Sequence, residues 1–377
     1  MIKSFLKDVV GYEIIKKARR AAIKNASLEV QEDNIKKLNY YLHPRNLKGV
    51  IVKVEQLNHD VKKFTIKLNQ KIYYEPGTSC NLCLSFNNGI YAREYSVLTE
   101  PHEAFDKEEI EIAVKYNKEG TVSKYLFEED VIGKEVSMES NMGHLKIVDA
   151  IDSKNIVMIA GGIGITPFIS MLKYIKKEKL NYNIRLYYAV NSQEDLIFKQ
   201  ELDELISSNI NIRYFVKDYI DEDSLKFEED ITYLICGSAG LNGYIRGILA
   251  KLGIRQGRIR SECFSPMQND FEDKEVKITV LQGELTTVIP AKCNESIATS
   301  LEKAGIAIHT KCRSGFCGYC RAKVISGGYD IRVPIESRRR EDIASNYVYS
   351  CSTYPKTDMV IRINCRKGWY FWIYYFS

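Results

Sequence analysis

Asn155 to Lys177 reads NIVMIAGGIGITPFISMLKYIKK: five consecutive apolar residues, a turn holding three glycines, then apolar positions at helical spacing. A short continuous apolar run closed by glycines is the pattern of a strand buried on both faces. Pro167 suits the first turn of the helix that follows, where its fixed φ fits and its missing N–H is not needed. The alternation recurs downstream as IRLYYAV then DLIFKQELDELI, and as ITYLICG then LNGYIRGILAKLG. Strand and helix in turn predict a parallel α/β sheet over residues 151–264.

Upstream the texture changes. GVIVKVEQL, KKFTIKL, CNLCLSF, REYSVLT and EIEIAVKY are short alternating or apolar runs separated by turn residues, which predicts an antiparallel β-barrel over residues 46–150. Residues 1–45 place Ile2, Phe5, Leu6, Val9, Ile14, Ile15 and Ala18 near helical spacing and stop at His43-Pro44. A helical arm packed on its own protein is expected there, since Gly11 weakens the apolar face that a membrane-surface helix needs. Downstream, residues 265–275 read as a polar linker, and VKITVLQG, ELTTVIP and SIATSLEKAG open a third domain, 276–364, with two strands and a helix.

The whole chain of 377 residues is 45% hydrophobic and 27% charged, which fits two or three domains and excludes disorder. Its 54 Lys and Arg against 49 Asp and Glu leave +5, too balanced for a dedicated nucleic-acid binder. Residues 1–48 hold 11 basic and 5 acidic groups, net +6, and residues 272–377 hold 16 and 11, net +5. No apolar run approaches the ~20 residues of a transmembrane segment, and charge interrupts the N-terminus throughout, so a cytoplasmic protein is expected. Ten cysteines in that compartment point to metal or redox chemistry before disulfides.

Three of them crowd into CRSGFCGYC. Cys312, Cys317 and Cys320 form C-x4-C-x2-C, and Cys351 follows in NYVYSCSTYP, the plant-type spacing for a [2Fe-2S] cluster. A backbone wrapping a negatively charged cluster needs residues without bulky side chains, which Gly315 and Gly318 supply. Structural zinc is the competing metal, but it takes paired C-x2-C ligands, and only Cys317 and Cys320 make such a pair.

Three other motifs carry chemistry. Arg93-Glu94-Tyr95-Ser96 closes a barrel strand with a fixed cation for a phosphate, an aromatic face for a flat ring and a hydroxyl for a ring heteroatom. Gly120-Thr121-Val122-Ser123 opens a helical segment whose N-terminus would offer N–H groups to a pyrophosphate, as Gly161-Gly162-Ile163-Gly164-Ile165-Thr166-Pro167 would to a second one. Each motif alone is better explained by a tight turn and a helix cap.

In order and separation these motifs resemble the ferredoxin-NADP reductase family, with R-x-Y-S, G-x-V-S and G-G-x-G-I-T-P in turn. Cys236-Gly237-Ser238 resembles the Cys-Gly strand end of its nucleotide domain, and CRSGFCGYCRAKVISG the cluster loop of plant-type ferredoxins. The three-domain arrangement is similar to that of phthalate dioxygenase reductases and hybrid-cluster protein reductases. The resemblance implies a flavin-binding barrel, a nucleotide-binding α/β domain and an α+β ferredoxin domain of the β-grasp type. It also implies roles. Arg93 would hold flavin phosphate, Tyr95 would pack on the isoalloxazine and Ser96 would bond near its reactive nitrogen. Gly120, Val122 and Ser123 would bind the flavin pyrophosphate. Gly161, Gly162, Gly164, Thr166 and Pro167 would take the nucleotide pyrophosphate, with Gly237 and Ser238 nearby and Cys236 beside the nicotinamide. Glu262 and Phe264 match a Glu-x-Phe near the flavin. Catalysis would rest on Cys236, Tyr95, Ser96 and Glu262, and the metal on Cys312, Cys317, Cys320 and Cys351.

The family contains FAD and FMN members, and a pyrophosphate site at Gly120–Ser123 favours FAD. NADH is favoured over NADPH because Asn191-Ser192-Gln193-Glu194-Asp195 offers no cation to a 2′-phosphate, with Lys199 and Arg213 the nearest candidates in sequence. The expected function is electron transfer from NADH through flavin and cluster to a redox protein acceptor. The alternative is an electron-transfer subunit with no useful turnover outside a larger complex. Cys80 and Cys83 fall on one strand, three apart and so facing opposite sides, and are expected to pack the barrel. The five histidines are assigned no role, and Arg338-Arg339-Arg340 reads as a solvated loop or a docking patch. The tail, residues 365–377, places seven aromatics in the eight residues from Trp369 to Phe376, outside the family pattern.

Overall fold

A computed structural model describes Lys17 and residues 47–87, 89–118, 120–142, 145–148, 151–226, 230–263, 273–306, 308, 310, 313, 315, 318–333, 336 and 338–363. The N-terminal arm apart from Lys17, Phe264, most of the linker, His309, Cys312, Cys317 and the aromatic tail lie outside the described residues. The described residues fall into two compact units. The first comprises those up to Cys80 together with Tyr95–Cys236 and Tyr244–Glu262, and the second Asn81–Glu94, Gly237–Gly243 and those from Cys263 onward.

The expected barrel is a six-stranded sheet of β1 (Lys48–Gln56), β2 (Val61–Leu68), β3 (Ser79–Phe86), β4 (Gly89–Ser96), β5 (Glu109–Lys115) and β6 (Glu135–Met142), in the order β4-β3-β6-β1-β2-β5. Alternation sets its register: Phe64, Ile66 and Leu68 of β2 are buried while Lys67 is exposed. The two ends of the sheet meet, since Val97 bridges Ile112 and the Leu98 amide donates to Glu111 at 2.8 Å. Sequence reading missed the helix α1 (Pro101–Lys107), announced by Glu100-Pro101. The Glu100 carboxylate caps it, accepting from the amides of His102 and Glu103 at 3.1 Å each. Helix α2 (Thr121–Glu128) follows β5.

The α/β domain is a five-stranded sheet in the order β11-β10-β7-β8-β9, built from β7 (Asn155–Gly161), β8 (Asn183–Val190), β9 (Ile210–Val216), β10 (Ile231–Gly237) and β11 (Ile259–Cys263). Strands β7 to β10 pair in parallel. Helix α3 (Thr166–Lys177) packs Phe168, Ile169, Met171, Leu172 and Ile175 onto Ile156, Met158 and Ala160 of β7 in one buried core. Helix α4 (Lys199–Leu205) is shorter than DLIFKQELDELI predicts. A 3-10 turn over Gln193–Asp195 and a left-handed Phe198, φ +60°, delay its start. Helix α5 (Ala239–Lys251) follows β10.

The C-terminal sheet has the order β13-β12-β18-β14-β16, from β12 (Glu275–Gln282), β13 (Leu285–Lys292), β14 (Arg321–Ser326), β16 (Tyr347–Tyr349) and β18 (Met359–Ile363). β15 (Tyr329–Ile331) pairs β17 (Thr353–Pro355) separately. Helix α6 (Ile297–Lys303) buries Ile297 and Leu301 against that sheet, and α7 (Arg340–Ala344) precedes β16. Arg338-Arg339-Arg340 is therefore not simply a solvated loop: Arg338 pairs with Glu336 and donates to the Tyr347 carbonyl, and Arg340 begins α7. Among the described residues no helix is long and apolar enough to cross a membrane.

Candidate functional site

The order in which the chain adds strands reverses at β7, which has β8 on one side and β10 on the other, all three parallel. Ligands of open parallel sheets bind beyond the strands' carboxyl ends at such a switch point. The glycine turn sits there. Gly161 ends β7, Gly162 to Ile165 form a 3-10 turn, and Thr166 and Pro167 enter α3, whose first turn has no side-chain cap. Gly162 adopts φ +52°, a left-handed backbone that glycine accepts without strain. Uncapped N–H groups at the start of α3 suit an anion. Parallel register brings fully buried Cys236 of β10 beside Ala160 of β7, so a residue expected at the nicotinamide lies at the same sheet end as the turn. Gly237 ends β10, and the Ser238 hydroxyl accepts from the Leu241 amide at 3.2 Å, giving it a capping contact. Glu262 lies on β11 and its Oε1 accepts from the Leu145 amide at 3.1 Å, a positioning contact that sequence could not reveal.

On the adenosine side of the reading, Ser192 donates to Asp195 at 2.9 Å. Lys199 pairs with Asp203 at 2.5 Å, and Arg213 lies 4.5 Å over the Phe215 ring. The folded chain also draws His59, Asp60 and Asp195 together, with Lys115 on Asp60 at 3.1 Å.

Of the flavin motif, Arg93, Tyr95 and Ser96 lie on β4. Ser96 is 4% exposed, and its Oγ meets no hydrogen-bond partner among the described residues. A buried hydroxyl in that state fits a ligand heteroatom. Gly120 is the N-cap of α2 without a side-chain cap, Val122 is buried, and Ser123 donates to the Asn117 carbonyl at 3.3 Å. These residues fit a phosphate-bearing flavin. Cys80 and Cys83 share β3, the first buried and the second half-buried.

In the second unit Cys320 immediately precedes β14, and Cys351 lies in a 3-10 turn over Ser350–Ser352. They are 2% and 6% exposed and share a buried group with Ala298 and Tyr349. Ser350 donates its amide to the Cys320 carbonyl at 2.9 Å, and its buried Oγ meets no partner among the described residues. The loop leading into Cys320 is close-packed at Gly315. Gly315 has φ +73°, and a Cβ there would stand 2.4 Å from Val333 Cγ1 and 2.5 Å from Ser352 Oγ. Buried thiols, a buried hydroxyl and a loop that admits only glycine fit a cluster cradle.

Sequence reading missed Arg313 and Glu302. Arg313, one residue after Cys312, forks onto Glu302 of α6 with Nη1–Oε1 2.5 Å and Nη2–Oε2 3.1 Å. Burial opposes the Arg313 charge, but Glu302, followed by Cys351 and Cys320, more than offsets it and raises its pKa. The signal was present as CRSG in the loop and SLEKAG in the helix, but no spacing rule joins them.

A nucleotide site at a switch point, in a chain with a second, cysteine-lined site, belongs to redox chemistry. The class is that of pyridine-nucleotide oxidoreductases that carry both flavin and iron–sulfur. Family models agree: an oxidoreductase FAD-binding domain matches residues 48–147, an oxidoreductase NAD-binding domain 158–246, and a 2Fe-2S iron-sulfur cluster binding domain 280–356. The glycine betaine monooxygenase reductase subunit of Chromohalobacter salexigens is 23% identical over 353 residues, covering 82% of this chain and 93% of its own. An NADH oxidoreductase of Escherichia coli is 25% identical over 282 residues, covering 73% and 85%. The solved structure of phthalate dioxygenase reductase superposes with a TM-score of 0.68 at 24% identity, over 84% of this chain and 97% of that one, and so shares the fold. The chain belongs to the ferredoxin-NADP reductase family and carries its own C-terminal [2Fe-2S] domain.

Proposed function

We propose that the protein takes a hydride from NADH and delivers its two electrons, one at a time, to a partner redox protein, releasing NAD+ and a proton. Bound flavin supplies the exchange between a two-electron donor and a one-electron [2Fe-2S] centre. Gly161–Pro167 would hold the nucleotide pyrophosphate, Cys236 would border the nicotinamide, and Glu262 would keep the Leu145 segment in place. Arg93, Tyr95 and Ser96 would hold and orient the flavin, with Gly120, Val122 and Ser123 at its pyrophosphate, which favours FAD. Cys312, Cys317, Cys320 and Cys351 would ligate the cluster. The observation that carries this reading is the register placing Cys236 beside the end of β7, where the glycine turn begins.

The relatives' names supply the acceptor class. One is a reductase subunit of a monooxygenase and another, from Pseudomonas putida, a reductase component of a dioxygenase system. By that likeness the acceptor is a redox component of an oxygenase system, reached in the cytoplasm in keeping with the ten cysteines. The test is the absorbance and paramagnetic spectrum of the purified protein, oxidised and NADH-reduced, beside flavin extraction and metal analysis. Flavin release, two iron atoms per chain and rapid NADH-dependent reduction of ferricyanide are expected. Zinc without iron or flavin defeats the reading. Failure to turn over alone, with co-purification in fixed stoichiometry, favours the subunit alternative.

A further inference from the structure

Glu302 stands between two arginines that serve different cofactor segments. Its side chain is 6% exposed, and those of Arg93 and Arg313 are 18% and 17% exposed. Arg313, from the cluster loop, holds the carboxylate in a two-pronged fork. Arg93, from β4, approaches end-on, its Nη1 3.0 Å from Oε1 and 3.2 Å from Oε2, and 2.8 Å from the Ala92 carbonyl. Two guanidinium groups on one carboxylate leave this largely buried group with one net positive charge. Buried charge in that state favours a further anion.

We infer that Glu302 is an internal counter-anion shared by the flavin-phosphate arginine and the cluster-loop arginine, so that its one charge sets both flavin affinity and the reduction potential of the cluster. This rests on the reading of Arg93 as the phosphate contact. A carboxylate and a phosphate that use one guanidinium compete for it, so Glu302 loosens flavin. The same carboxylate neutralises Arg313, whose cation would otherwise favour the reduced cluster, which carries one more electron. Glu302 therefore holds the potential down. Losing a contact that orders Arg93 works the other way, but in a site this dry it is smaller than the loss of a charge.

The experiment compares wild type, Glu302→Gln and Glu302→Asp as full-length holoprotein. Flavin retention is read by fluorescence on dilution, and the cluster midpoint by a redox titration followed by paramagnetic signal. Glu302→Gln is expected to bind flavin roughly three- to tenfold more tightly and to shift the midpoint positive. Glu302→Asp, which keeps the charge, stays near wild type in both. Weaker or unchanged flavin binding in Glu302→Gln overturns the inference, as does a change in one readout without the other. If Glu302→Gln assembles no cluster, flavin retention is read with and without it in a Cys317→Ser background, where tighter binding supports the inference and any other result overturns it. Arg93→Ala separates the two levels. Unchanged flavin retention there removes the phosphate reading itself, whereas lost flavin with an inert Glu302→Gln removes the sharing alone.

Discussion

The Ser350 amide donates to the Cys320 carbonyl at 2.9 Å, locking the turn that carries Cys351 against the end of the cluster loop. Cys320 and Cys351 thus reach one buried group from separate segments, both inside the second unit. The glycine turn and Cys236 belong to the first. Cys317→Ser should therefore abolish the cluster and leave NADH reduction of flavin largely intact. Anaerobic stopped-flow bleaching of flavin, beside iron analysis, checks it, and loss of both signals together would show the two chemistries to be inseparable.

Gly315 allows a sharper test of the cradle. Alanine there would carry a Cβ 2.4 Å from Val333 Cγ1 on a backbone at φ +73°. Left-handed strain alone costs ~1–2 kcal/mol for an L-residue, and the overlap adds to it. Gly315→Ala should lose most of its iron and give an earlier thermal transition. Wild-type iron content in that variant is incompatible with a close-packed loop.

Nucleotide choice follows from charge. Glu194 and Asp195 lie on the 3-10 turn after β8, while Lys199 is engaged by Asp203 and Arg213 lies over Phe215. A 2′-phosphate would meet carboxylates there, so NADH should be preferred in kcat/KM by at least about tenfold, the equivalent of roughly 1.4 kcal/mol. Glu194→Arg or Asp195→Arg should narrow the gap, mainly by improving NADPH. Steady-state kinetics with both nucleotides decides it, and equal use by the unmodified protein counts against the assignment.

Glu100 predicts a pH dependence. It caps α1 and accepts from Lys177, at the end of α3, at 2.7 Å. Burial pushes its carboxyl up, but the Lys177 contact and the His102 and Glu103 amides outweigh that and hold it below the usual 4.5. A folded pKa below the unfolded one means that the stability is present above about pH 4.5 and is lost as pH falls through the lowered folded value. Glu100→Gln should cost about 1–3 kcal/mol near neutral pH and progressively less as the medium is acidified. Thermal melts across that range test it, and a penalty that grows toward acid pH would falsify the sign.

Local features were legible from residues alone. The run NIVMIAGG followed by Pro167, the alternation of β2 and the spacing of Cys312, Cys317 and Cys320 each lie within one stretch of chain, where periodicity and backbone demands act directly. The shortened α4 escaped because a left-handed Phe198 gives no pattern in apolar spacing. What only the tertiary structure decided is long-range. The Val97–Ile112 closure, Cys236 beside Ala160, Leu145 on Glu262 and Arg93 on Glu302, 209 residues apart, depend on strand register and packing. A charged residue in sequence carries its charge but not its partner. Whether Glu302 faces water or two arginines is settled by which surfaces the folded chain buries together, because burial makes the pairing obligatory.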